Sequence, residues 1–163
     1  MSWLLERLRK CHDNRGMMAN LRCILVDNKK HRAWPALNRL GVAIDNDVAA
    51  FVAGLFATHP EITTGGNFGA TCKLIEQKRG DKRGDDHKLT PTERRFQHLL
   101  SAERGGELNS RVLRMLLMAK SQGVPVDYAK LETDLKFWSD RTKTEWATSF
   151  WTQDIAPAQE VEV

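Results

Sequence analysis

The chain has 163 residues, which is enough for one domain or for two small lobes. Hydrophobic residues make up 41% of it and charged residues 28%, so the composition excludes a disordered chain. No apolar run approaches the roughly 18 residues of a membrane span, and the first residues lack a signal-peptide pattern. With three cysteines and no disulfide spacing, we expect reduced thiols in a cytoplasmic protein.

The net charge of +4 is unevenly distributed along the chain. Residues 1–40 carry nine Lys or Arg against three acids, and residues 73–114 carry eleven against seven. Residues 41–72 and 115–163 are each net negative, at −3. Two basic segments are typical of a protein that binds nucleic acid or another polyanion. The solvated faces of ordinary helices would produce the same pattern, and charge alone does not separate the two interpretations.

Apolar spacing predicts helices from the start of the chain. The first helix carries four apolar residues on one face: Trp3, Leu4, Leu8 and Cys11. A second helix is predicted over residues 15–27.

Two further helices complete the first half. One spans 33–41, with Pro35 at an early helical position and Gly41 as its terminator. The other is capped by Asp45 and continues to Thr58.

The second half has clearer helix boundaries. A helix over 68–78 follows a glycine-rich turn, and Thr90 and Glu93 form a capping box that opens the next one. Residues 107–122 form another helix, and Asp127 begins the one after it. A second capping box, at 142–145, predicts the start of the last helix. Four aromatic residues fall at inward positions: Trp138, Trp146, Phe150 and Trp151. Because strand signals are nearly absent, we predict an all-α helical bundle.

Residues 78–90 interrupt the helical pattern. They contain a tandem Lys-Arg-Gly-Asp repeat and one apolar residue, which predicts a mobile basic loop. This loop would join an N-terminal helical lobe (1–77) to a C-terminal one (91–152), and an acidic tail (153–163) would follow. A tether without any function of its own would have the same composition.

Motifs for catalysis are missing. Cys11, His12 and Cys23 do not have zinc-ligand spacing, and the glycine-rich stretch 65–69 lacks the Lys-Ser/Thr ending of a phosphate loop. No short motif pairs a nucleophile with a base. We therefore predict no metal, no cofactor and no enzyme activity, and only a triad assembled in space from distant residues stays open.

The arginines are more informative than the other polar residues. Arg94 lies opposite the apolar stripe of its helix, and Arg95 lies at the border of that stripe. Arg114 is the one polar residue of 112–119, in a helix that we expect to be buried nearly all round, and Arg111 shares its polar stripe. An internal salt bridge or a bidentate phosphate contact would each explain Arg114.

Other candidates for nucleic-acid contacts lie in the basic segments. Arg15 and Arg22 are seven residues apart, so they share a face if one helix contains both. Exposed aromatic residues beside these cations would be needed for base stacking, and Trp3 and Trp34 are the candidates. The complete set of predicted nucleic-acid-binding residues is Arg15, Arg22, Lys78, Arg79, Lys82, Arg83, Arg94, Arg95, Arg111 and Arg114.

Several of these segments occur together in one known family. The string TERRFQHLLSAERGGEL, followed by VLRMLLMAKSQGVPVDYAKLETDLKFW and EWATSFW, resembles the small subunit of the type I-E CRISPR surveillance complex Cascade, the CasB family. DNRGMMANLR, VAAFVAGLFATHP and NFG fit the N-terminal half of that family more loosely. The resemblance covers roughly residues 10–152, and it lies in the order and spacing of the segments rather than in one motif.

The resemblance implies an all-helical, non-catalytic subunit, present in two copies along a backbone that carries the CRISPR RNA. Its partners would be the backbone and large subunits, a second copy of itself and target DNA, with no membrane. It would bridge the complex and stabilise the R-loop by holding the displaced non-target strand. The family's arginine positions carry over onto Arg15, Arg22, Arg94, Arg95 and Arg114, whereas the family pattern does not require the 78–90 loop.

Two other functions stay open on the sequence alone. A small helix-turn-helix transcriptional regulator would read a duplex sequence through one helix in the major groove. No helix here combines a preceding turn with exposed base-reading side chains. An uncharacterised nuclease of the same defence locus would require metal-dependent cleavage.

Overall fold

The computed structural model of the chain describes residues 2–152. In that range the chain forms nine α-helices, and its one β-type pairing is a single parallel bridge between Ile62 and Val126. The helices are α1 Trp3–Lys10, α2 Arg15–Arg22, α3 Trp34–Leu40, α4 Asp47–Thr58, α5 Phe68–Arg79, α6 Pro91–Leu100, α7 Gly106–Gln122, α8 Tyr128–Lys136 and α9 Asp140–Phe150. The predicted all-α fold is confirmed. None of these helices combines the length and apolarity needed to cross a bilayer.

The predicted boundary signals act as expected at two helix ends. The Thr90 hydroxyl accepts a hydrogen bond from the Glu93 backbone N–H at 3.0 Å, and the Glu93 carboxylate accepts one from the Thr90 N–H at 2.9 Å. Gly41 ends α3 in the left-handed conformation, at φ 76°. These contacts and this conformation confirm the predicted capping box and the predicted terminator.

Two predicted helix starts are wrong by a few residues. Asn46, not Asp45, caps α4, because its side-chain oxygen accepts from the backbone N–H of Ala49. Ser139 caps α9, and Thr142 lies inside the first turn, where its hydroxyl donates to the Phe137 carbonyl. Neighbouring polar residues compete for the same cap, and the backbone path decides between them.

The helix predicted over 15–27 is also shorter than expected. α2 ends at Arg22, and two 3-10 segments follow, Cys23–Leu25 and Asp27–Ala33. Gly54 of α4 faces this point, with Leu25 and the carbonyl of Leu21 against it. The chain therefore turns tightly over α4 instead of continuing as a straight helix.

The buried apolar residues form one continuous core, from Leu4 in α1 to Phe150 in α9. α5 packs most extensively on α9, and α4 packs on both α2 and α8. Helices from the two predicted lobes therefore contact each other directly, and the core is continuous across the predicted boundary at residue 78. The acidic tail predicted over 153–163 lies outside the described residues.

The aromatic residues divide into buried and half-buried groups. Trp146 and Phe150 are fully buried, and Trp138 and Trp151 pack against the core while half-buried. Trp3 shares the apolar face of α1 in the sequence pattern, but its side chain is 49% exposed. Leu5 occupies the inward position instead, since the core-facing stripe of α1 is centred on its three leucines.

A polar link joins the end of α4 to the segment before α8. His59 is buried, and its Nε2 donates to the Val124 carbonyl at 2.6 Å. The Tyr128 hydroxyl donates to the carbonyls of His59 and Leu55, and its burial raises the pKa of that phenol far above its ordinary value. These bonds hold the C-terminal end of α7 close to α4.

Candidate nucleic-acid interface

The exposed arginines of α6 lie beside α7. Arg94 and Arg95 are both exposed; Arg94 lies on the side of α6 opposite the buried Phe96, and Arg95 lies at the border of the apolar stripe. A guanidinium N–H of Arg95 donates to the Sδ of Met118 in α7 at 3.8 Å. Arg95 therefore contacts α7 one helical turn beyond Arg114, because Arg114 and Met118 are four residues apart on that helix.

The outer face of α7 is a solvent-exposed ridge. Arg114 is exposed, and Leu117, three residues further on, is 48% exposed. The expectation that this helix is buried nearly all round is therefore wrong. Leu116 and its neighbours on the opposite side of the helix supply the core contacts. Some of the apolar side chains in 112–119, such as that of Leu117, therefore lie on the surface and not in the core.

A groove near the C-terminal end of α7 contains the arginines of α2. Its volume is about 590 Å³, and its lining includes Arg15, Arg22 and Lys120. Since α2 spans Arg15–Arg22 without a break, the prediction that one helix contains both arginines is confirmed. A guanidinium N–H of Arg22 also donates to the Ala57 carbonyl at the end of α4, at 3.0 Å. Asp13 is the one acid in the lining.

Together these side chains form a surface that we call the cationic track. It comprises two groups of cations connected through α7, one at α6 and the ridge of α7 and the other in the groove at α2. Its members are Arg94, Arg95, Arg114, Lys120, Arg22 and Arg15. Lys120 was not predicted, because only the tertiary fold brings the C-terminal end of α7 to the groove.

The cations of the track are available to a ligand. Within residues 2–152, none of its six members forms a salt bridge with a carboxylate. Arg22 alone donates a hydrogen bond to a main-chain carbonyl. The proposed internal salt bridge for Arg114 is therefore absent from the described part of the chain. A row of unpaired cations produces a positive field that attracts phosphate groups.

Arg111 lies one turn before Arg114 on α7, but it makes three internal contacts, so we do not count it in the cationic track. Its guanidinium donates to the His98 carbonyl at 2.7 Å and to the Ser101 hydroxyl at 3.1 Å, and it pairs with Glu107 at 3.1 Å. Its side chain is 20% exposed. These bonds satisfy a carbonyl group at the end of α6 and connect that end to α7. Its predicted contact with nucleic acid stays a prediction.

The two Lys-Arg-Gly-Asp units of the loop have different environments. In the first unit, Lys78 and Arg79 belong to α5, Gly80 ends that helix at φ 76°, and Asp81 accepts from the Thr92 hydroxyl at 2.7 Å. Arg79 lies 3.9 Å from the Asp81 carboxylate.

The second unit is anchored by Arg83. Its guanidinium pairs with two buried carboxylates, Glu76 at 2.8 Å and Glu93 at 3.5 Å. It also lies over the ring of Phe150, 5.2 Å from the centroid. Arg83 therefore contacts α5, α6 and α9, and its predicted contact with nucleic acid stays a prediction. Lys78 and Lys82 are exposed and form no salt bridge with a carboxylate of residues 2–152.

The described residues give little support for a metal site or for a cysteine nucleophile. In residues 2–152 there is no group of three His, Cys, Asp or Glu side chains close enough to hold a metal ion. Burial raises the pKa of the Cys72 thiol well above its ordinary value, and partial burial raises that of Cys11. A raised thiol pKa lowers the thiolate fraction, so neither cysteine is an activated nucleophile.

Comparison with known proteins gives the family. The sequence matches the family described as CRISPR-associated protein Cse2 over residues 7–151, and no curated protein matches the chain. The fold is similar to a crystal structure of CasB from Thermus thermophilus, with a TM-score of 0.70 and 17% identity over 92% of this chain and 96% of that chain. It is also similar to a crystal structure of M. ruber CasB, with a TM-score of 0.55 and 20% identity over 99% of this chain and 89% of that chain.

At such identities the two crystal structures support the fold alone. The family match covers nearly all of the described helices, and it agrees with the resemblance found in the sequence. The chain therefore belongs to the CRISPR-associated Cse2 family, also called CasB, the small subunit of type I-E Cascade.

Proposed function

We propose that this chain is a non-catalytic subunit that stabilises the R-loop of an RNA-guided DNA surveillance complex by holding the displaced non-target strand. The observation that carries the proposal is the cationic track, whose exposed arginines lie on three helices and pair with no described carboxylate. An R-loop exchanges a DNA duplex for an RNA–DNA hybrid of similar stability. Modest contacts to the freed strand therefore decide how long the R-loop persists.

The shape of the track favours a single strand over sequence readout of a duplex. Its cations come from α6, α7 and α2, and the ridge of α7 with Leu117 separates them into two groups. Major-groove readout needs one helix that enters the groove with several base-reading side chains. A flexible strand can follow cations on several helices, and such phosphate contacts do not depend on sequence.

We further propose that the subunit bridges backbone subunits that carry the CRISPR RNA, and that it does so in the cytoplasm beside a second copy of itself. Large apolar side chains away from the track support protein contacts, because Ile44, Leu74 and Phe137 are 49%, 42% and 64% exposed. Three cysteines without a disulfide fit a reducing compartment.

The test is a triple variant, Arg94→Ala with Arg95→Ala and Arg114→Ala, assembled into the complete complex. We expect normal assembly, weaker target binding and a shorter R-loop lifetime, since each lost phosphate contact weakens binding. Arg22 is left unchanged because it also holds the end of α4. The matched control removes three exposed cations elsewhere, Lys29, Arg32 and Arg141, and should behave as the wild type.

An R-loop lifetime that is equal in the triple variant and the wild type would contradict the proposal. Binding of the isolated subunit to one selected duplex far above random duplexes would instead favour the helix-turn-helix regulator. Cleavage of DNA by the purified subunit with Mg²⁺ or Mn²⁺ would contradict the non-catalytic role.

A further inference from the structure

A second basic depression lies next to the cationic track. It is formed by α1, the start of α2 and the end of α3, and its volume is about 390 Å³. Its lining combines three cations with an apolar floor: Arg7, Lys10, Arg39, Cys11, Met17 and Leu40. No carboxylate belongs to that lining. We call this depression the α1–α3 cavity.

An exposed indole stands beside the α1–α3 cavity. The guanidinium of Arg7 lies over the ring of Trp3, 4.6 Å from its centroid, and donates to the Leu40 carbonyl at 3.0 Å. Gly41 has no side chain, and a Cβ atom at that position would lie 2.9 Å from the Arg7 guanidinium and 3.4 Å from the Trp3 ring. Arg7 thus holds the indole in one position, although half of Trp3 is exposed to solvent. A large aromatic side chain that is both fixed and exposed can stack on a planar ligand.

The α1–α3 cavity continues the surface of the cationic track. Cys11 and Met17 line the cavity, whereas the next residues in the chain, His12 and Met18, line the groove that contains Arg15. The two depressions therefore lie on opposite sides of the corner between α1 and α2. A strand that leaves the groove at α2 can therefore enter the cavity directly, because neighbouring residues of the chain line the two depressions.

We propose that the α1–α3 cavity and its edge bind one nucleotide of a single strand, with the flanking phosphates held in the cavity by Lys10 and Arg39 and the base stacked at the edge on the face of Trp3 that Arg7 does not cover. The inference rests on the proposed function, because it extends the path of the same strand. Lys10 and Arg39 are exposed, and neither forms a salt bridge with a carboxylate of residues 2–152. An acidic peptide would satisfy the cations equally well, but it would leave the fixed indole without a planar partner.

The test measures binding of the full-length protein to a fluorescent oligo-dT by anisotropy at low salt. Trp3→Ala should weaken binding about tenfold, and Trp3→Phe should restore most of it, because any aromatic ring can stack on a base. The matched control is Trp34→Ala. That indole is 43% exposed in the same basic segment, but it packs on His31, whereas Trp3 packs on Arg7 of the cavity lining.

Removing the cations provides an independent readout. Lys10→Ala with Arg39→Ala should reduce the slope of log K against log salt by about 1.4, from two lost phosphate contacts. Circular dichroism should show unchanged helix content in each variant. Equal binding of the Trp3→Ala and Trp34→Ala variants, with a strong wild-type affinity, would overturn this inference and leave the proposed function intact.

Two further outcomes separate the remaining explanations. If the wild type binds no oligonucleotide, in isolation or in the complex, the proposed function fails and the inference fails with it. If a polyglutamate peptide displaces oligo-dT from the wild type but not from the Lys10/Arg39 variant, the cavity is a peptide site and the inference is overturned. Poor competition by polyglutamate supports it.

Discussion

Arginine side chains serve two purposes in this protein, and their neighbours determine which. Arg83 reaches two buried carboxylates, Glu76 and Glu93, which also receive hydrogen bonds from the Thr90 hydroxyl and the Trp151 indole. All buried polar atoms of this cluster are therefore satisfied. Arg114 lies on an exposed ridge with no carboxylate partner among residues 2–152. One guanidinium stabilises the fold, and the other is available to a ligand.

The Arg83 cluster leads to a prediction about stability. Arg83→Ala leaves Glu76 and Glu93 without their cation, and we expect the free energy of unfolding to fall by about 2 kcal/mol. The effect is below that of a fully buried pair because Arg83 is 36% exposed. Urea denaturation followed by circular dichroism measures it. The adjacent Lys82→Ala is the control, with an expected change within about 0.5 kcal/mol. Equal losses in the two variants would contradict the role of Arg83.

At the scale of helices, the closest packing joins α5 to α9. A Cβ atom added to Gly69 would overlap the carbonyl oxygen of Trp146 and would lie 2.7 Å from its carbonyl carbon. Both are main-chain atoms, so no side-chain rotation can relieve the overlap. The absence of a side chain at Gly69 sets the distance between these two helices, and through it the position of the Phe150 ring under Arg83.

A methyl group at position 69 should therefore push α5 and α9 apart. We expect Gly69→Ala to destabilise the protein by about 3 kcal/mol, at the upper end of overpacking effects. Gly106→Ala is the matched control, because Gly106 lies in α7 and a Cβ atom added there would have no atom within 4 Å. That change should stabilise the protein by about 0.5 kcal/mol. Thermal unfolding of both variants tests the contrast, and a neutral Gly69→Ala would contradict the close approach.

Sequence patterns predict the helices well and their surfaces less well. The capping box at Thr90 and the terminator Gly41 follow from local rules, because each acts within one turn. The exposure of Leu117 and Trp3 depends on which neighbouring helix covers each face, and no local pattern records that. Lys120 is the clearest case, since it joins the cationic track only because the fold places the end of α7 at the groove that contains Arg15 and Arg22.

On the scale of the whole molecule, the cationic track depends on three helices that are far apart in the sequence. The continuous core fixes α2, α6 and α7 relative to one another, so the track is present before any ligand binds. A preformed surface loses little conformational entropy on binding, whereas separate flexible basic tails would lose much more.

The number of cations in the track leads to a prediction about salt. Six phosphate contacts to a single strand give a slope of log K against log salt of about −4. The Arg94, Arg95 and Arg114 triple variant should reduce that slope to about −2, because it loses three contacts. Titration of an oligonucleotide at several salt concentrations measures both slopes. The Lys29, Arg32 and Arg141 control should keep the wild-type value, and an unchanged slope in the triple variant would contradict the track.

The tandem tetrapeptide limits which shortened forms of this chain can keep both of its local structures. Deleting either copy of Lys-Arg-Gly-Asp gives the same shortened sequence, so a protein with one copy must use it in only one of two ways. It can end α5 with the glycine, or it can send the arginine to Glu76 and Glu93. Relatives with a single copy should therefore compensate elsewhere, either by another helix terminator or by replacing the two buried acids. Two identical peptides therefore have different structural roles in one fold.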